Sequence, residues 1–89
     1  MHEMSVALEV CRLAEEQVGR EGLPRVTAIG LDVGVASGLV IENLAFCLEV
    51  LLTSPPFADA RAVIARTPGK ALRLDWLEID DPVEPRICA

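Results

Sequence analysis

Arg25-Val26-Thr27-Ala28-Ile29-Gly30-Leu31-Asp32-Val33 is the stretch around which the fold is read. Its two-residue alternation predicts a strand, with Thr27, Ile29, Leu31 and Val33 on the core face and Val26, Ala28, Gly30 and Asp32 on the other. Gly34 and the Ser37-Gly38 pair then break the chain. Upstream, Met4 to Arg20 reads as an amphipathic helix. Met4, Ala7, Leu8, Cys11, Ala14 and Val18 follow three- and four-residue spacing, while Glu9, Arg12, Glu16 and Arg20 lie away from that stripe. Glu16 and Arg20 stand in the favourable i,i+4 order. Gly19, Gly22 and Pro24 end the helix. Downstream, Val40 to Thr53 reads as a second helix with Val40, Leu44, Cys47, Leu48 and Leu51 along its core side. Ile41, Ala45 and Leu52 make the opposite side more apolar than a solvated face, which reads as a broad core face in preference to a partner surface. Ser54-Pro55-Pro56 stops it.

Asp59 to Arg66 and Ala71 to Ile79 read as two further strands joined by Thr67-Pro68-Gly69-Lys70. Pro-Gly at the centre of such a link is type II turn chemistry, so the two strands are expected to form an antiparallel hairpin. In the second of them Leu72, Leu74 and Trp76 alternate with Arg73 and Asp75, but Leu77 and Ile79 fall out of step. A bulge near Trp76-Leu77 would restore the register. The element order is helix, strand, helix, strand, strand. A helix between the first two strands implies a right-handed parallel crossover. The expected fold class is α/β (α+β), with two helices packed on a three-stranded mixed sheet. Residues 1–80 form one domain and residues 81–89, with Pro82 and Pro85, a flexible tail.

Composition narrows the function classes. Eighty-nine residues make a single small domain, 52% apolar and 25% charged, which is globular and not disordered. A net charge of −6 with no run of basic residues argues against nucleic acid, which needs clustered Lys and Arg. Cys11, Cys47 and Cys88 are odd in number and far apart, with no Cys-x-x-Cys, so neither a zinc knuckle nor a redox pair can be drawn. Free thiols fit a reducing compartment. The start lacks a signal-peptide pattern and no apolar run is long enough to span a bilayer, so a soluble, cytoplasmic chain without membrane partners is expected. No nucleophile–base pair and no phosphate loop is present, which argues against an enzyme. Cys11 and Cys47 read as packing residues on apolar stripes. The acidic group Asp75, Glu78, Asp80 and Asp81 reads as a solvated strand end and not as a hard-cation site.

One local pattern does carry chemistry. His2 is the only histidine and lies beside the amino terminus. The Met1 amine, the His2 amide and the His2 imidazole can close two chelate rings on one ion, with the Glu3 amide as a possible fourth nitrogen. Flat, nitrogen-rich coordination suits Ni(II) or Cu(II) better than Zn(II).

The opening Met1-His2-Glu3-Met4-Ser5 resembles the start of the HypA/HybF family of hydrogenase-maturation nickel metallochaperones. Further pieces follow in order: Arg25 to Gly34, Ser37-Gly38, the helix Asn43 to Leu51, and the closing strand Leu72 to Ile79. Together they cover about residues 1–80. The resemblance implies that His2 binds nickel, that Glu3 supplies its amide and tunes the site, and that Met1 contributes its amine. It also implies two partners, the large subunit of a nickel-dependent hydrogenase and a maturation GTPase. The departure is equally plain. Members carry a zinc module of two Cys-x-x-Cys knuckles between the last two strands, where this chain has only Thr67-Pro68-Gly69-Lys70, and Val35 stands where an acidic residue is common. No structural zinc is therefore expected. Loss of that module leaves an alternative reading, an adaptor or regulatory interaction domain of the maturation system that no longer moves metal. The two edges of the sheet make a homodimer a further expectation.

Overall fold

A computed structural model describes residues 3–80. In chain order it contains α1 (Glu3–Val18), a short 3-10 helix (Arg20–Arg25), β1 (Val26–Gly34), α2 (Ile41–Leu52), β2 (Arg61–Thr67) and β3 (Leu72–Ile79). The helices lie on one side of a single mixed sheet, as the pattern predicts. Gly19 takes φ 76° and ends α1, and the 3-10 helix that follows, with Pro24 inside it, turns Leu23 into the core. The expected flexible tail, residues 81–89, lies outside the described residues.

The helix stripes need correction. On α1 the buried residues are Val6, Ala7, Val10 and Ala14, while Met4 and Leu8 are exposed and Cys11 and Val18 sit at the margin of the core. The apolar set of α1 is wide enough to admit two stripes, and periodicity alone picked the wrong edge of it. On α2 the buried residues are Ile41, Leu44, Leu48 and Leu52. Ile41 and Leu52, assigned to the opposite side, are core, and Val40 is exposed. Among the surface charges, Arg12 bridges Glu9 at 2.6 Å and Glu16 at 2.5 Å, and Arg20 approaches Glu15 at 3.8 Å instead of Glu16. One cation between two carboxylates one turn to either side is the better-satisfied geometry. It holds the Glu9 carboxyl below its ordinary pKa.

The hairpin expectation fails. The sheet order is β2-β1-β3, so β2 and β3 never touch: β2 runs parallel to β1 and β3 antiparallel to it. The Pro-Gly link misled because a short connection usually joins neighbours. Here it steps over the end of β1. Two strand spacings are roughly 10 Å, within reach of four residues at about 3.3 Å each. Gly69 takes φ 96°, the positive value its turn chemistry predicts. The arch is fastened by three backbone bonds from β1 and the loop after it. Gly34 N–H donates to the Ala71 carbonyl at 2.7 Å, Val35 N–H to Thr67 at 2.8 Å and Ala36 N–H to Gly69 at 2.8 Å.

β1 is buried on both faces. Ile29, Leu31 and Val33 enter the core under the helices, as the alternation predicts, but Thr27 does not: it forms an irregularity against β3, and its hydroxyl donates to the Glu78 carbonyl. On the outer face Ala28 and Gly30 are buried as well. The Trp76 indole lies flat on Gly30, so close that a Cβ there would fall 2.0 to 2.5 Å from three ring atoms. The bulge in β3 exists, one residue earlier than expected. Gly30 pairs with Trp76 and Leu31 with Leu74, which leaves Asp75 as the extra residue. The shift returns Leu77 to the helix side with Leu74, where both are partly buried.

These close approaches make a ranked prediction. A Cβ at Gly34 would meet the Gly69 carbonyl oxygen at 2.4 Å, a backbone atom of the arch that cannot step aside. Gly34→Ala is expected to cost about 1–3 kcal/mol in urea unfolding. Gly30→Ala should cost less, because the half-exposed Trp76 ring can swing out, and should shift the emission of this single tryptophan. Equal costs with unchanged emission would refute the assignment of both contacts.

Candidate metal centre

The candidate ligands begin where α1 begins. Met1 and His2 lie outside the described residues; Glu3 is the first residue of α1. Its amide stands in the first turn, where i→i−4 pairing has not yet started, so use of that nitrogen leaves the helix ladder intact. The same terminus carries the positive end of the α1 dipole. A bare cation is disfavoured there, whereas anionic groups such as deprotonated amides and the Glu3 carboxylate are favoured. The two effects oppose each other.

The Glu3 side chain has a structural role that no sequence pattern announces. Its Oε2 accepts the Val40 backbone N–H at 2.8 Å, across 37 positions of chain. Val40 is the N-cap of α2, and its own side chain cannot cap. A capping box normally returns a carboxylate from within the same helix to the N-cap amide. Here the carboxylate comes from α1 instead. The consequence is that the starts of the two helices are tied together beside the loop Val35–Val40. That loop leaves the end of β1 next to the arch. A second carboxylate supports the same helix terminus: Glu42 is held below its ordinary pKa by its own backbone N–H and then by Arg66, at 3.3 Å. Glu42 therefore helps α2 above the usual carboxylate range, and that help is lost as pH falls through its depressed folded value.

Among the described residues no three His, Cys, Asp or Glu side chains gather in a metal-holding group. Cys11 and Cys47 are half-buried at the margin of the core, as their stripes predict, and burial pushes the Cys11 thiol up. Its thiolate, the form that binds metals, is therefore scarce at neutral pH. Cys88 and Asp81 lie outside the described residues. Asp75 stands 3.9 Å from Arg73, whose guanidinium donates to Asp32 at 2.6 Å, so the acidic strand end is partly neutralised by cations. No helix of the described residues is long and apolar enough to cross a membrane.

Known proteins share both the sequence and this architecture. The family profile described as hydrogenase/urease nickel incorporation, metallochaperone, HypA matches residues 1–73. The hydrogenase maturation factor HypA of Azotobacter chroococcum mcd 1 is 37% identical over 71 residues, covering 80% of this chain and 63% of that protein. That of Paracoccus denitrificans (strain Pd 1222) is 32% identical over 88 residues, covering 96% of this chain and 78% of that protein. The chain thus spans 63% of the length of the Azotobacter relative. The solution structure of the Ni metallochaperone HypA from Helicobacter pylori superposes with a TM-score of 0.73 at 18% identity, covering 90% of this chain and 98% of that one. That likeness establishes a common fold.

The Glu3 tether is directly testable. Glu3→Ala should lower the stability of the chain by about 1 kcal/mol, the usual net worth of one intramolecular hydrogen bond. The exchange rate of the Val40 amide proton should rise with it. Glu3→Gln, which keeps an acceptor oxygen, should recover most of the loss. If the Val40 amide exchanges no faster in the alanine variant, the tether is absent in solution.

Proposed function

The chain belongs to the HypA family, and on that premise we propose that it carries Ni(II) for delivery to a nickel enzyme. The observation that supports this reading most is that the family match begins at residue 1, so Met1-His2-Glu3 falls inside it. In this reading the Met1 amine, the His2 amide and imidazole, and the Glu3 amide form a planar nitrogen set around one ion. The protein's own residues do three things. The imidazole binds in its neutral form, the amides give up protons, and the Glu3 carboxylate holds the first turn of α1 against α2 while the ion enters and leaves. Nothing in such a site performs bond chemistry, so the chain acts as a carrier and not as a catalyst.

The proposed recipients are the large subunit of a nickel-dependent hydrogenase and the GTPase of its maturation system, in the cytoplasm. The arch Pro68–Ala71, which crosses β1 with three backbone bonds, leaves little room for a zinc module without rebuilding the crossing. We therefore assign no structural zinc to residues 3–80. The same feature favours the adaptor as the second reading, in which the scaffold binds the maturation partners without metal. Pull-down of those partners in the presence of a nickel chelator, and with His2→Ala, separates the two: binding that ignores both belongs to the adaptor.

Calorimetry on protein with an unblocked Met1 should give one Ni(II) per chain, and His2→Ala should abolish it. Affinity should fall as pH drops through about 6.5, because the imidazole then holds a proton the metal must displace. A His2→Ala variant that still takes up one equivalent as tightly as the parent would falsify the ligand assignment. Elemental analysis of the purified chain should find zinc well below one per molecule, and a stoichiometric, chelator-resistant zinc would defeat that part.

A further inference from the structure

The two edges of the sheet differ in charge. β2 carries Arg61 and Arg66 and no carboxylate in its seven residues, whereas β3 carries Arg73, Asp75 and Glu78 in its eight. β3 pairs with β1 on one side only. Its helix-facing side is also incompletely roofed. Leu74 and Leu77 are partly buried, but Leu72 and Ile79 remain 37% and 40% exposed. A groove of about 690 Å³ runs between these residues and Leu13, Gln17 and Val18 of α1. An edge strand with apolar side chains and unused ladder positions is a template for another strand.

The order of residues along β3 selects which strand fits. Two copies laid antiparallel about a twofold axis at Asp75-Trp76 put Leu72 opposite the partner's Ile79, Leu74 opposite the partner's Leu77, and Arg73 opposite the partner's Glu78. A regular strand could not form these pairs, because each would join residues that point to opposite faces. The bulge at Asp75 removes the conflict. By their register with Val33, Leu31, Ile29 and Val26, the residues Leu72, Leu74, Leu77 and Ile79 all share the helix side, and Arg73 and Glu78 share the outer side with Asp32 and Ala28. The irregularity therefore makes the strand complementary to itself in both hydrophobicity and charge.

We propose that two copies of this chain associate through antiparallel pairing of β3, joining their sheets into one. Each copy gains apolar cross-strand partners for its four leucine and isoleucine side chains and two symmetry-related Arg73–Glu78 ion pairs form. Arg73 keeps its bond to Asp32, since a guanidinium has five donors. The other edges do not compete. Pairing β2 with β2 would bring no opposite charges together, since neither strand carries a carboxylate. Pairing β2 with β3 is a head-to-tail contact that does not close.

Light scattering on the full chain across a concentration series should show the mass rise from 9.6 kDa to twice that value and stop. Glu78→Lys and Arg73→Glu each place like charges across the axis and should weaken the dimer on the order of tenfold. An equimolar mixture of the two variants should restore it, because both cross-strand pairs then join opposite charges again. Circular dichroism checks that each variant folds. Should Arg73→Glu unfold through repulsion by Asp32, intermolecular methyl contacts between Leu72 and Ile79 in a mixed-isotope sample of the unaltered protein decide instead. A mass that stays at one chain, a mass that climbs past two, or the absence of those contacts overturns the proposal. So does a pair of single variants that dimerise as tightly as the parent.

Discussion

The backbone of Val26–Gly34 is hydrogen-bonded along both edges, and the rest of the molecule is arranged to permit that. A strand in this position must be covered on both faces, and its composition divides accordingly. Ile29, Leu31 and Val33 supply volume under the helices. Ala28 and Gly30 supply the lack of volume that lets a single tryptophan cover the other side. The arch over its end follows from the same pairing. Strands on both flanks of β1 must be joined across it, and only a residue without a Cβ at position 34 lets the connecting backbone pass so close.

That arrangement sets the surroundings of the amino terminus. The loop leaving β1 delivers Val40, and Val40 receives the Glu3 carboxylate. One side chain thereby links the starts of the two helices. A helix N-terminus repels a cation and welcomes anionic groups, and the Glu3 carboxylate stands there. The tether also gives Glu3 a structural role independent of metal.

The bulge at Asp75 has two consequences. Within the chain it returns Leu77 to the core side after Trp76 has turned outward over Gly30. At the free edge it converts a strand of mismatched parity into one that can face its own copy. Natural edges are commonly blunted by charge. Here the charges of β3 are of both signs and ordered so that they attract under a twofold, while those of β2 are of one sign and offer a copy of themselves no opposite charge.

Local patterns in the chain were sufficient for the element types, their order and the α+β class. Alternation over Arg25 to Val33, three- and four-residue spacing in two segments, and Pro or Gly at each break are consequences of backbone geometry that any environment preserves. The His2 pattern is local as well, its atoms being neighbours in the chain, and it lies outside the described residues. What the sequence could not decide is what meets across the chain. The antiparallel partner of β1, the true core stripes of the helices, and the bond from Glu3 to Val40 all depend on packing between distant segments. A Pro-Gly link is chemically the same whether it turns a hairpin or steps over a strand. The central strand settled which, because its edges on both sides are paired only when β2 and β3 lie on opposite flanks.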